Sequence, residues 1–292
     1  MSELLLHEST RRALDAFVAH PSHGLLLTAP AGGGKATVAA YVAARLLGIE
    51  ADKLPNHAHV KTVRSADGKA ISIEAIRDVI HFTTLRAAQT NNVSSPVNRI
   101  IIIEQAALLT AQAQNALLKT IEEPPAGTLI ILTAPSEVAI LPTIRSRIQH
   151  IAIQTPDSAA VCKYFVGQGY AGDAVQKALL MSGGLPGLMQ ALLTADRAHP
   201  LLAATARARD VLQKTPFERL LIAEELAKDR QQWLDTLFIL SQMADISLRQ
   251  GKGQVAAARR WQRILTTCHH AQEQTQRSAQ LKLVLLNFML AI

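Results

Sequence analysis

The sequence predicts an α/β domain built on a five-stranded parallel sheet covered on both faces, followed by an all-helical remainder. Three observations lead there. Short apolar or β-branched runs alternate with helix-period segments through the first half of the 292 residues. A glycine-rich loop joins the first of these runs to the first long helix. After Thr155-Pro156 the strand signal stops. Strands that are apolar at every position are buried on both faces, and crossover helices are what bury them.

In chain order, Gly24–Thr28 is a short apolar strand ending in a glycine-rich turn, and Thr37–Leu47 is an Ala-rich helix. His59–Val63 is a second strand. From Ile73 to Leu85, apolar residues at Ile73, Ile76, Val79 and Ile80 keep helical spacing. Arg99–Ile103 is a β-branched run too short for a helix. Ala111–Glu123 is a helix stopped by Pro124-Pro125. Leu129–Leu132 and Ile148–Ile153 complete the strands. Asp157–Gly167, Ala174–Met181 and Pro186–Leu193 then read as three short helices between glycine-containing turns. His199-Pro200 marks a break, and Leu201 to Ile292 reads as helix, interrupted near Gly251–Gly253. The expected division is 1–155 for the α/β domain, 156–197 for a small helical domain and 198–292 for a helical C-terminal domain.

Composition bounds the rest. Apolar residues make up 49% of the chain and aromatics only 4%, so the core must be aliphatic; that suits an α/β or helical protein better than a β-sandwich. The net charge of +7 is compatible with a nucleic-acid partner, because Lys and Arg displace counterions from phosphates. It is equally compatible with a solvated basic surface, since no long basic run occurs. Cys162 and Cys268 stand far apart and suggest neither a zinc cluster nor a disulfide framework. Met1 to Arg12 lacks a signal-peptide pattern, and no apolar stretch reaches roughly 18 residues. A cytoplasmic protein without membrane contact is the expectation.

Two segments carry chemistry. Ala29-Pro30-Ala31-Gly32-Gly33-Gly34-Lys35-Ala36-Thr37 follows a strand and opens a helix, which is the setting of a phosphate-binding P-loop. Gly32, Gly33 and Gly34 let backbone N–H groups converge on phosphate oxygens, and Lys35 would reach the β- and γ-phosphates. The first position of the pattern is Ala29 rather than Gly, and Ala36 replaces the hydroxyl residue that ligates Mg²⁺. Thr37 has a hydroxyl, but one step along a helix turns it about 100° away. The alternative is a glycine-rich strand-to-helix turn with no ligand. Ile100-Ile101-Ile102-Ile103-Glu104-Gln105 has the form of a Walker B strand. There the first acid helps hold Mg²⁺ and the second polarises the attacking water. Glu104 is a methylene longer than Asp, and Gln105 is neutral and cannot act as a base, although Gln orients a water in some GTPases.

The stretch Asn115-Ala116-Leu117-Leu118-Lys119-Thr120-Ile121-Glu122-Glu123-Pro124-Pro125, followed by Leu141-Pro142-Thr143-Ile144-Arg145-Ser146-Arg147, resembles the delta-prime family of bacterial DNA polymerase III clamp-loader subunits, within the AAA+ proteins. Ile71-Ser72-Ile73-Glu74-Ala75-Ile76-Arg77 is similar to that family as well. The likeness covers roughly the first 150 residues well, the middle segment modestly, and the last segment only in helical character. It implies an AAA+ P-loop domain, a helical lid and a helical collar that oligomerises.

It further implies that Ser146-Arg147-Ile148 corresponds to the family's Ser-Arg-Cys motif, with Ile in place of Cys. Arg147 would then be an arginine finger acting on ATP held by a neighbouring subunit; the alternative is an ordinary surface arginine, and Arg145 is a weaker competitor. Gly187 falls where the lid usually supplies a sensor arginine. The four-cysteine zinc module common in relatives is missing between Leu47 and Val63, where His57 and His59 are taken as ordinary surface histidines. Trp233, Phe238, Trp261 and Phe288 belong to the collar's core or to its interfaces.

The resulting expectation is a structural and regulatory subunit that does not hydrolyse ATP, binds it weakly or not at all, and holds no zinc. Its partners would be the clamp-loader ATPase subunits and the delta subunit in a hetero-pentamer, the sliding clamp through that complex, and primed DNA through backbone phosphates. The rivals are an active AAA+ motor subunit and a delta-prime-like interaction module outside the clamp loader.

Overall fold

In the computed structural model, residues 4–65, 70–84, 97–194, 199, 201–250, 255–276 and 280–292 are described. The chain forms two compact units, Met1–Thr155 and Pro156–Ile292. The expected boundary at 197/198, Pro200 of the expected break and the interruption at Gly251–Gly253 lie outside the described residues.

The first unit contains α1 (Glu8–Ala19), β1 (Gly24–Thr28), α2 (Lys35–Leu47), β2 (Val60–Val63), α3 (Ile73–Thr84), β3 (Arg99–Ile103), α4 (Ala111–Glu122), β4 (Thr128–Ala134), α5 (Pro142–Arg145) and β5 (Gln149–Ala152). The five strands form one sheet in the order β2-β3-β4-β1-β5, and every pairing is parallel. Side chains alternate faces along a strand, and here the alternation divides two cores. Leu25, Leu27, Ile100, Ile102, Leu129 and Ile131 pack with Leu14 and Phe17 of α1 and Val38 and Val42 of α2. Leu26, Ile101, Ile103, Ile130 and Leu132 pack with Ile76 and Val79 of α3 and Leu117 and Ile121 of α4. β1, β3 and β4 are buried along their full length, whereas the edge strand β5 exposes Gln149, His150 and Ala152 and buries only Ile151.

Helix α1 is an addition to the expected elements. Its buried residues Thr10, Leu14 and Phe17 recur at helical spacing, and the Thr10 hydroxyl accepts a bond from Gln154 N at 3.0 Å, tying the helix to the residues after β5. β4 extends beyond the expected Leu129–Leu132 because Thr128 and Thr133 are β-branched and continue the ladder. Arg99, at the start of β3, is a buried cation: its guanidinium lies 5.2 Å from the Phe82 ring centroid and donates to the Thr83 carbonyl. Gly24 has a packing reason. A Cβ there would collide with Ile148, whose side chain closes over the start of β1.

The second unit is helical: α6 (Ser158–Gly167), α7 (Gly172–Ser182), α8 (Pro186–Thr194), α9 (Leu201–Gln213), α10 (Pro216–Leu226), α11 (Arg230–Gln250), α12 (Val255–Gln276) and α13 (Leu281–Ala291). Helix α7 ends at Gly183, which is left-handed at φ 65°, and a turn through Gly184 leads into α8. Helix α10 starts with a capping box in which Thr215 and Glu218 satisfy each other's backbone N–H groups. Trp233, Leu240, Leu285 and Phe288 lie at the centre of one core that also takes in Leu188 and Leu201. No described helix is long and apolar enough to cross a membrane.

Candidate functional site

In a parallel sheet the carboxyl ends of the strands form the ligand-facing edge, and both sequence motifs emerge there. β1 runs into the glycine-rich loop and β3 into Glu104 and Gln105. β4 lies between them and binds both: Ala29 N donates to the Ala134 carbonyl at 3.3 Å, and Gln105 N donates to Thr133 Oγ1 at 3.0 Å. The buried Thr133 hydroxyl, which the sequence reading passed over, thus holds the end of the Walker B strand, and the next residue, Ala134, holds the start of the loop.

The loop is closed on itself. Gly32 and Gly34 are left-handed at φ 74° and 79°, a conformation glycine adopts without steric cost. Gly33 N donates to the Pro30 carbonyl at 3.1 Å. A side chain at Gly33 would press on the Ala29 methyl and the Pro30 carbonyl, so this position too requires glycine. The Lys35 ammonium, at the first turn of α2, donates to the carbonyls of Ala29 at 2.6 Å and Pro30 at 2.8 Å. Burial lowers its pKa to about 8, which still leaves it mostly charged at neutral pH and able to hold the loop carbonyls. Ala36 and Thr37 are both exposed on the same turn.

At the end of β3, Glu104 N pairs with the Val63 carbonyl at 2.8 Å, and its carboxylate lies 3.5 Å from the Arg64 guanidinium. Gln105 has a left-handed backbone at φ 54°. A non-glycine residue there costs on the order of 1 kcal/mol; its bond to Thr133 and the 3-10 turn that follows at Ala106–Leu108 hold it in place. The Gln105 side chain points to solvent.

Arg147 is elsewhere. It precedes β5, whose Gln149 pairs with Leu25 near the start of β1. It thus stands at the amino edge of the sheet, whereas Lys35 stands beyond the carboxyl edge, with about 13 Å of strand between the two edges. The sheet brings Lys35, Glu104 and Gln105 to one edge and leaves Arg147 at the other. Arg147 is half exposed, and its Nη2 lies 3.0 Å from Glu122 Oε1. Its Nη1 donates to the Thr143 carbonyl at 2.9 Å and to Ser146 Oγ at 3.1 Å. Arg145 takes another direction, 3.9 Å from Glu137. Glu137 also lies 3.4 Å from His150 Nδ1, whose Nε2 is 2.8 Å from Thr28 Oγ1. Glu122 and Arg147 are far apart in sequence, so no spacing signal pairs them.

In the second unit, Gly187 lies in the first turn of α8. Trp233 and Phe288 are fully buried, with rings edge to face at 5.1 Å, whereas Phe238 and Trp261 pack at the margin of the same core. His59 Nδ1 is 2.8 Å from the Asn98 carbonyl. Burial and the neighbouring His59 lower the pKa of His57. Among the described residues, no three His, Cys, Asp or Glu side chains are grouped to share a metal ion.

Residues 15–157 match the family described as DNA polymerase III, delta subunit. A Pseudomonas aeruginosa protein named DNA polymerase III subunit delta' is 30% identical over 200 residues, covering 62% of this chain and 57% of its own length. Its Yersinia pestis counterpart of the same name is 28% identical over 210 residues, covering 69% of this chain and 59% of its own length. The chain thus spans less than three fifths of these relatives. Among solved structures, a DNA polymerase III gamma-subunit-related protein from Thermotoga maritima is 16% identical and covers 97% of this chain and 98% of its own, with a TM-score of 0.50. At that identity the likeness speaks for the fold alone. By its matched segment and its named relatives, the chain is similar to the delta-prime subunits of DNA polymerase III over about its first half.

Proposed function

We propose that this protein is a clamp-loader subunit that does not hydrolyse ATP and supplies Arg147, in trans, to ATP held by a neighbouring subunit. The observation that carries this reading is the separation of Arg147 from Lys35 by the full depth of the sheet. An arginine at the amino edge cannot serve a phosphate held at the carboxyl edge of the same chain, but it is exposed to a second molecule. The loop's own chemistry supports the same reading. A magnesium-bound triphosphate does not fit the residues present: Ala36 offers no ligand, the Glu104 carboxylate faces Arg64, and Lys35 is spent on the loop's own carbonyls. Weak or no ATP binding follows, and no zinc is assigned.

The partners in this reading are the clamp-loader ATPase subunits and delta, in a hetero-pentamer that places the sliding clamp on primed DNA through backbone contacts in the cytoplasm. Within the helical unit we assign 156–197 to the lid and 198–292 to the collar. Phe217 and Leu221 on α10, one helical turn apart, and Leu283 and Leu290 on α13 are large apolar side chains left exposed. α10 and α13 pack against each other, and apolar residues grouped on a surface favour a protein partner. Phe217→Asp with Leu221→Asp is expected to reduce co-purification with the other subunits at least tenfold, while far-UV circular dichroism stays unchanged. Intact assembly would remove this face from the collar interface.

The direct test of the non-hydrolysing reading is phosphate release from Mg-ATP by the purified chain, with Lys35→Ala as control. Turnover equal to the control is expected. Clear turnover that depends on Lys35 would mean that Glu104, Gln105 and Thr37 support hydrolysis, and the chain would then be an active motor subunit.

A further inference from the structure

We infer that Glu122 is a positioning residue for Arg147, an inference that rests on Arg147 acting at a neighbour's nucleotide. A guanidinium carries five N–H donors in a planar fork. Both Nη1 donors are used inside the chain, on the Thr143 carbonyl and Ser146 Oγ. One Nη2 donor faces Glu122 Oε1 at 3.0 Å. The Nε donor and the second Nη2 donor have no partner among the described residues. Two donors remain, the number a phosphate accepts in a bidentate pairing.

Glu122 has no other visible task. It is the last residue of α4, but the terminal N–H bond of that helix is made by Glu123 to the Lys119 carbonyl. Among the described residues, its carboxylate forms an ion pair only with Arg147. The two side chains are 40% and 41% exposed, and so wet a pair adds little to stability. Its effect is on orientation. A free arginine samples many rotamers, and fixing the fork beforehand removes that ordering cost from the step in which the phosphoryl charge develops. The carboxylate also offsets part of the finger's charge, but solvent and salt screen that offset at this exposure. Orientation therefore outweighs attenuation, and Glu122 raises the neighbour's turnover instead of restraining it.

The two residues are also joined through structure. Glu122 follows Ile121, which is buried against the sheet, and Arg147 follows Ile144 of α5, buried in the same core. Movement of α4 relative to α5 would thus change how the finger is presented.

The test is ATP turnover by the reconstituted clamp loader with clamp and primed DNA present. The variants are Glu122→Ala, Glu122→Gln, Arg147→Ala and the double variant Glu122→Ala with Arg147→Ala. Glu122→Ala is expected to lower kcat about fivefold with KM for ATP unchanged. Glu122→Gln keeps an acceptor oxygen at the same reach and is expected to restore kcat to within about twofold of the unmodified complex. With Arg147 already replaced, removing Glu122 is expected to change nothing further. Unchanged or raised turnover in Glu122→Ala overturns the inference, as does a Gln variant no better than Ala or a loss that persists without Arg147. If Arg147→Ala is itself silent, the trans-acting finger is the reading that fails, and Glu122 has nothing to position.

Discussion

Replacing Arg147 by Ala in the assembled complex is expected to lower ATP turnover at the adjoining subunit roughly 10³-fold or more, the lower end of what a trans-acting arginine supplies to phosphoryl transfer. The chain itself should stay folded. Arg147 is bound by one carboxylate, one carbonyl and one hydroxyl, all at the surface, and losing such contacts costs about 1 kcal/mol or less. Assembly should survive too, because the residues assigned to the collar lie in the other unit. Large loss of turnover with intact folding and assembly is the pattern that separates a chemical role from a structural one. Arg147→Lys keeps the charge but presents a single point instead of a fork, so it is expected to recover only a small part of the activity. Arg145→Ala is the matched control. It removes an equal charge two residues away, but Arg145 is turned toward Glu137, and turnover should fall no more than a few-fold. Turnover unchanged in Arg147→Ala would sink the proposal outright.

The sheet was legible in the sequence because its strands announce themselves. Gly24–Thr28 and Arg99–Ile103 match the observed strands at both ends, since runs buried on both faces leave little ambiguity. The edge strand was less legible. Ile148 and Ile153 look like strand residues, yet β5 spans only Gln149–Ala152, and Ile148 instead closes over Gly24. Apolar character reports burial, not pairing. Helix α1 went unread although Thr10, Leu14 and Phe17 carry its signal, because its charged residues draw attention to the polar face. At the candidate site the residue identities were legible and their partners were not. Lys35 turning onto Ala29 and Pro30, Glu104 facing Arg64, and Glu122 facing Arg147 are choices made by rotamers and loop paths. No periodicity encodes them. The opposite-edge placement of Arg147 is a consequence of the observed parallel pairing of β5 with β1, since in a parallel sheet every loop entering a strand lies at the edge away from the loops that leave.

Trp233→Ala is expected to destabilise the helical unit by about 3–5 kcal/mol, the range for removing a large buried aromatic. Two contacts place Trp233 at the meeting point of α11, α12 and α13. Its ring is fully buried and meets Phe288 edge to face at 5.1 Å. Its indole N–H donates to Thr275 Oγ1 at 3.1 Å, and that hydroxyl in turn donates to the Ala271 carbonyl at 2.7 Å. The alanine variant loses the apolar burial and leaves a cavity that rigid helices cannot fill by collapse. Trp233→Phe keeps an aromatic face for Phe288 but gives up the indole donor and part of the volume; a loss of about 1–2 kcal/mol is expected. Thr275 keeps its own donated bond in both variants, so the packing term dominates. The two tryptophans of the chain, Trp233 and Trp261, both belong to this unit. Fluorescence during urea unfolding therefore reports on it alone, and Trp261 continues to report when Trp233 is replaced. Since a whole domain is stable by only about 5–15 kcal/mol, the alanine variant should shift the midpoint far toward low urea. It should also weaken assembly with the other subunits, because the exposed Leu283 and Leu290 are carried by the same helix that holds Phe288. A shift equivalent to less than about 1 kcal/mol would mean that the three helices repack without their central ring, and the unit would then owe its stability to the aliphatic contacts around Leu240 and Leu285.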